Sequence, residues 1–145
     1  MGFQFNPFTG NFDRKEPSTA TTIVDSATKL KIQRTALVNV DAGEVLKAHS
    51  STVATLATAD NTQQDAQVLG IAENTVLAGA TVDIVLLGVV SNAAFSIFSI
   101  NSPLFLDVDG GITDTKRTSG FHVVVGKALG NNDILFQPSN PTTIA

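Results

Sequence analysis

From Lys29 onward, apolar residues either alternate with polar ones or gather in short runs, and turn-forming residues separate the runs. The runs read KLKIQ, TALVNV, VLKA, VATLA, VLGIAE, TVDIVLLGVV, PLFLDV, FHVVVGKAL and DILFQP, with turns at DAGE and DGG. Alternation at period two turns one face of each run toward a core, as in β-strands, whereas recurrence at three and four, the helical pattern, is scarce. The pattern predicts an all-β chain: a small barrel or folded sheet of short antiparallel strands, preceded by an extended N-terminal arm. Only STVATLATADNTQQ leaves room for a helical turn.

The most apolar stretch, TVDIVLLGVVSNAAFSIFSI, is about as long as a membrane span. Asp83, Asn92 and its serines, together with its β-branched residues, predict two core strands instead.

Two segments look alike. VLGIAEN, from Val68 to Asn74, and DIVLL, from Asp83 to Leu87, can be laid on VVGKALGN, from Val124 to Asn131, and DILFQ, from Asp133 to Gln137. Each is a strand with a Gly-x-Ala step, a polar turn, and a second strand opening on Asp-Ile. The glycine permits a bulge or a close backbone approach, so a repeated hairpin in a small pseudo-symmetric barrel is expected.

The two ends differ from this middle. Residues 1–28 read as an extended arm and linker, 29–138 as the β-domain, and 139–145 as an irregular tail. Residues 13–28 are polar and rich in Thr and Ser, with Pro17, a composition suited to a linker. The arm before them holds four of the nine phenylalanines, and Pro7 and Gly10 exclude both a helix and one regular strand. Exposed, Phe3, Phe5, Phe8 and Phe12 would be an aggregation liability. They are expected either to fold back on the β-domain or, in the functional reading, to bind a neighbouring subunit or another protein.

Composition narrows the chemistry. A chain of 145 residues can bury one core without staples, and a net charge of -4 with nine Lys plus Arg spread along it argues against nucleic-acid binding. With no cysteine and two histidines, neither a disulfide framework, a thiolate nucleophile nor a structural zinc site is expected. There is no nucleophile elbow, phosphate loop or dinucleotide glycine pattern, and His49 and His122 read as structural. The opening residues also lack the pattern of a secretory signal. Asp107, Asp109 and Asp114 in LDVDGGITD look like half of a calcium loop, but the closing bidentate acid is missing. Asp109 and Gly110 therefore read as a hairpin turn that needs positive φ. Without tryptophan or tyrosine, a sugar-binding cleft would depend on phenylalanine. The expectation is a protein without catalytic residues, cofactor or metal, and without a membrane or nucleic-acid partner.

ALVNVDAGEVLKA, then VLGIAENTVLAGATVDIVLLGVV, then SPLFLDVDGGIT, then VVVGKALGNNDILFQP together resemble the capsid decoration, or cement, proteins of tailed bacteriophages. The resemblance runs from about Ala36 to Pro138. It implies a β-domain that assembles as a homotrimer on the outer surface of the capsid, after synthesis in the host cytoplasm. There it would bridge major capsid protein subunits without catalysis. The opening GFQFNPFTGNFD is similar to N-terminal segments of other virion proteins, tail-fibre proteins among them, so a tail or fibre component anchored by its arm is the alternative. A carbohydrate-binding module or small hydrolase using LDVDGG is the rival from another class.

Overall fold

The computed structural model describes residues 29–144, and the arm and linker expected over 1–28 lie outside them. As the alternation predicted, the described chain is all-β. Its strands are β1 Lys29–Ala36, β2 Val45–Ala48, β3 Val53–Leu56, β4 Gly70–Ala72, β5 Thr81–Ser91, β6 Pro103–Leu106, β7 Ile112–Thr113, β8 Phe121–His122, β9 Val124–Gly130, β10 Asp133–Phe136 and β11 Thr142–Thr143.

The first half closes on itself. β1 pairs parallel with β3 and antiparallel with β5, and the ladder continues through β2 and β4, so β1-β3-β2-β4-β5 forms a five-stranded ring. The long β5 then leaves this ring. At Gly88 it is partnered by Lys29 on one edge and by Phe136 of β10 on the other, and residues 88–91 continue along β10.

Residues 88–91, β10, β9, β6 and β7 repeat the order of the first ring. Leu46 faces Gly70, and Leu104 faces Gly126. Ala72 faces Ile84, and Ala128 faces Ile134. Ile32 lies across Ile84 as Val90 lies across Ile134, and Ala48 across Ala54 as Leu106 across Ile112. The loops match too. Gly43 N–H donates to the Ala72 carbonyl at 2.8 Å, and Asn101 N–H to that of Ala128 at 2.7 Å, both donors with positive φ. His49 N–H donates to the Val53 carbonyl at 2.8 Å, as Asp107 N–H does to that of Gly111 at 2.8 Å. The repeated unit is thus a whole barrel, larger than the expected hairpin, and β5 ends one copy while beginning the next.

The Gly-x-Ala step has a physical cause. A Cβ on Gly126 would strike the carbonyl of Leu135, and one on Gly70 would strike the carbonyl of Val85 and the side chain of Ile84. Val85 and Leu135 hold the same place in the two copies, so both glycines exist to let two backbones approach.

Burial follows the duplication. Ala36, Val40, Leu46, Ala54, Ala72, Val82 and Ile84 fill the first barrel. The second core joins residues of the other copy, including Leu104, Ala128, Ile134 and Phe136, with Val45, Ile71 and Val85 from the outside of the first barrel. Neighbouring residues on one strand, such as Ile84 and Val85, therefore serve different cores, and β5 reads as a continuous apolar run.

Three expectations need correction. TVDIVLLGVVSNAAFSIFSI supplies one strand, β5, and then a 3-10 helix, Ala93–Ile97, where a second strand was predicted. Asn92 is the reason: its side-chain oxygen accepts from Ala94 N–H at 2.9 Å and caps the turn. STVATLATADNTQQ supplies β3 followed by turns, without a helix. In the C-terminal stretch expected to be irregular, Thr142 and Thr143 pair with His122 and Phe121.

Candidate partner-binding site

The two barrels differ where each ring should close. In the first, Thr35 N–H donates to the Thr52 carbonyl and Leu37 N–H to that of Ala54, both at 2.9 Å. Ala36, Ala54 and Val40 are consequently buried. Their counterparts in the second barrel are Ala94, which is exposed, and Ile112 and Phe98, which are half-buried. The chain that should pair with β7 has coiled into the 3-10 helix instead, and Phe95 N–H bonds back to the Asn92 carbonyl at 2.9 Å.

What remains is an open seam between the 3-10 helix and β7, a cleft of about 310 Å³. Phe95, Ile97, Phe98 and Ile112 supply its apolar wall, and the turn at 41–44 of the first barrel supplies its far side. Ile97 is 77% exposed and Ile100, just beyond, is 65% exposed. Asn92 ties the two sides together by donating from Nδ2 to the Ala42 carbonyl at 3.0 Å.

The floor of the cleft is the turn between β6 and β7. Asp109 has φ 49 and Gly110 φ 78, and Gly110 is buried. Its N–H donates to the Ala57 carbonyl at 2.6 Å and its carbonyl accepts from Val45 N–H at 2.8 Å. A Cβ there would lie 3.0 Å from Leu56 Cδ2 and 3.1 Å from the Val45 carbonyl oxygen. The turn therefore plugs into the first barrel as well as joining two strands of the second.

The rim is acidic. Burial pushes the Glu44 carboxyl above its ordinary value; a hydrogen bond from the Asp41 backbone opposes this, and repulsion from Asp41 and Asp109 adds to it. A negatively charged occupant is disfavoured here.

Asp107 is engaged by Arg117 at 2.6 Å, while Asp109 and Asp114 are exposed. Among the described residues no three His, Cys, Asp or Glu side chains are grouped to hold a metal. His49 is exposed after β2. His122 packs against Phe105 with ring centroids 5.0 Å apart, and its Nδ1 is buried without a hydrogen-bond partner. Phe3, Phe5, Phe8 and Phe12 lie outside the described residues. No helix among the described residues is long and apolar enough to cross a membrane. Sequence reasoning missed the seam, although SNAAFS carried its signal: an Asn cap followed by two helix-favouring alanines.

No protein family and no curated protein matches the chain. Among solved structures, it is similar to the head fiber gp8.5 N base of bacteriophage phi29, with 20% identity over 80% of this chain and 93% of that one, at a TM-score of 0.46.

Proposed function

We propose that this protein is a structural component of a phage virion that decorates the outer surface of the capsid as a homotrimer, bridging major capsid protein subunits and adding stability without catalysis. The observation that carries the reading is the match between resemblance and architecture. The stretch that resembles decoration proteins, Ala36 to Pro138, spans nearly all of the two fused barrels, and its Gly-x-Ala steps are the points of close backbone approach in both. In this reading the arm's phenylalanines make a contact inside the assembled particle.

The test is co-sedimentation of purified protein with undecorated heads, followed by heat challenge. Saturable binding and a raised disruption temperature are expected; heads that neither bind the protein nor gain stability would reject the reading. A second reading, a tail or fibre component, is favoured by the similarity of GFQFNPFTGNFD to tail-fibre segments. Electron microscopy of labelled particles separates the two by location.

A further inference from the structure

We infer that the open seam of the second barrel is the receptor for the phenylalanine-rich arm of a second copy of this chain. The inference deepens the trimeric reading above and rests on it.

The first barrel shows what the seam lacks. There a strand, β1, pairs with β3 and buries Ala36 and Ala54, while the equivalent β7 has no strand on its outer edge among the described residues. An open β-edge beside an apolar cleft takes an added strand of a few residues readily, short enough to lie on one side of the breaks at Pro7 and Gly10: the backbone supplies hydrogen bonds, and alternate side chains such as Phe3 and Phe5 would fill the pocket. The cleft, about 310 Å³, is roughly twice the 150 Å³ that accommodates one benzene ring. Its walls are Phe95, Phe98, Ile97 and Ile112. Phenylalanine at Phe3, Phe5, Phe8 or Phe12 fits such a wall by offset or edge-to-face contact, and the segment from Phe3 to Phe12 carries no acidic residue to oppose Glu44 and Asp41.

The tether is long enough to reach a neighbouring copy, and the trimeric reading supplies that neighbour as the recipient. The arm leaves the domain at Lys29, which is paired with Gly88, and the seam begins at Asn92, just past the end of the same strand and about 13 Å from Gly88 at the rise of a β-strand. A few residues would cover that distance. Sixteen residues, the number in 13–28, span at most about 50 Å at full extension, so the same chain's seam and a neighbour's are both within range. An arm passed from each copy to the next is a heterologous contact, and three such contacts close a ring.

The chain's lack of cysteine makes the test direct. Full-length Phe8→Cys and full-length Ile97→Cys are prepared separately, mixed, and oxidised with copper phenanthroline; a third chain carries both changes. Ile97 is exposed, so its substitution does not threaten the core. The mixture is expected to give a disulfide-linked species of twice the 15.1 kDa chain mass, at least tenfold more of it than a mixture in which Leu77→Cys replaces the seam cysteine. Ile97→Asp should abolish the oligomer seen by light scattering while the chain remains folded by circular dichroism at the assay temperature, its melting temperature falling to that of the parent chain with Phe3, Phe5, Phe8 and Phe12 all changed to Ser. A double-cysteine chain that bridges only to itself would overturn the inference in favour of the same chain's arm. No bridge from Phe3, Phe5, Phe8 or Phe12 replaced in turn would overturn it altogether. Binding of the same variants to heads, measured separately, shows whether decoration survives either result.

Discussion

The two barrels of this chain carry the same strands in the same register, yet one is closed and the other is not. The difference comes down to a few residues. After Ile32 the first copy continues as QRTA, whose β-compatible residues carry β1 to its pairing with β3. After Val90 the second copy continues as SNAA, where Asn92 caps a 3-10 turn and the alanines follow it. A local capping bond has won over a strand pairing. The loser is a pair of backbone edges beside an apolar cleft, so one copy of the unit acts as a finished core and the other as a socket.

The largest losses are expected at the shared glycines. Gly126→Val, with φ 154 and a backbone carbonyl in the way, is expected to cost about 4 kcal/mol or more, or to abolish folding. Gly70→Val, its counterpart, should be similarly damaging. Thermal and urea unfolding read both, and tolerance at either site would show that the two steps are not equivalent.

The seam itself is sharpened by a matched pair. Ala36→Asp places a charge in a closed seam and should cost about 3 kcal/mol or more, whereas Ala94→Asp, at the same position of the open copy, should change stability by no more than about 0.5 kcal/mol when both are made in a chain with Phe3, Phe5, Phe8 and Phe12 changed to Ser, so that no arm fills the cleft. Equal losses in urea midpoints would mean that the second seam is shut.

At the plug, Gly110→Val should cost about 1 to 2 kcal/mol because of its φ of 78 and its contacts with Leu56 and Val45. Asp114→Asn should be nearly neutral, and added calcium should not raise the melting temperature of the parent chain. A calcium-dependent rise abolished by Asp109→Asn would turn the turn into a metal site.

The smallest effects are electrostatic, and two carboxylates run in opposite directions. Burial pushes Glu73 up, but hydrogen bonds and attraction from Lys29 and Lys31 outweigh it and hold the group below its usual 4.5. Its stabilisation is present above that pH and is lost as the pH falls through the lowered value. Glu44 is raised, so its contribution is present below 4.5 and is lost as the pH rises through the raised value. Glu73→Gln should thus flatten the acid limb of a melting-temperature profile, while Glu44→Gln should raise the melting point slightly near pH 7 and leave it unchanged near pH 4. Added salt should shrink the Glu73 effect.

Much of this fold was legible from the sequence because strand alternation and turn residues are local. The β4–β5 and β9–β10 hairpins stood out because close approach demands glycine, and glycine leaves a visible mark. The rest of the duplication did not. Leu46 with Leu104 and Ala54 with Ile112 are matched by pairing, and any apolar residue of suitable size serves there. The double burial of β5 also hid its shared role, since a strand serving two cores loses its alternation. The seam was illegible for a different reason: a socket is defined by a strand that fails to form, and only the comparison with its closed twin reveals the position it would have taken.

Hydrogen exchange at equivalent amides separates a filled seam from an empty one. Ala54, paired with β1, and Ile112, its counterpart on β7, should be compared in assembled full-length protein and in a full-length variant with Phe3, Phe5, Phe8 and Phe12 all changed to Ser. Ile112 is expected to be protected in the parent assembly, approaching Ala54, and to lose at least tenfold of that protection in the variant while Ala54 does not change. Fast exchange at Ile112 in both proteins, or slow exchange in both, would contradict a seam filled by the arm.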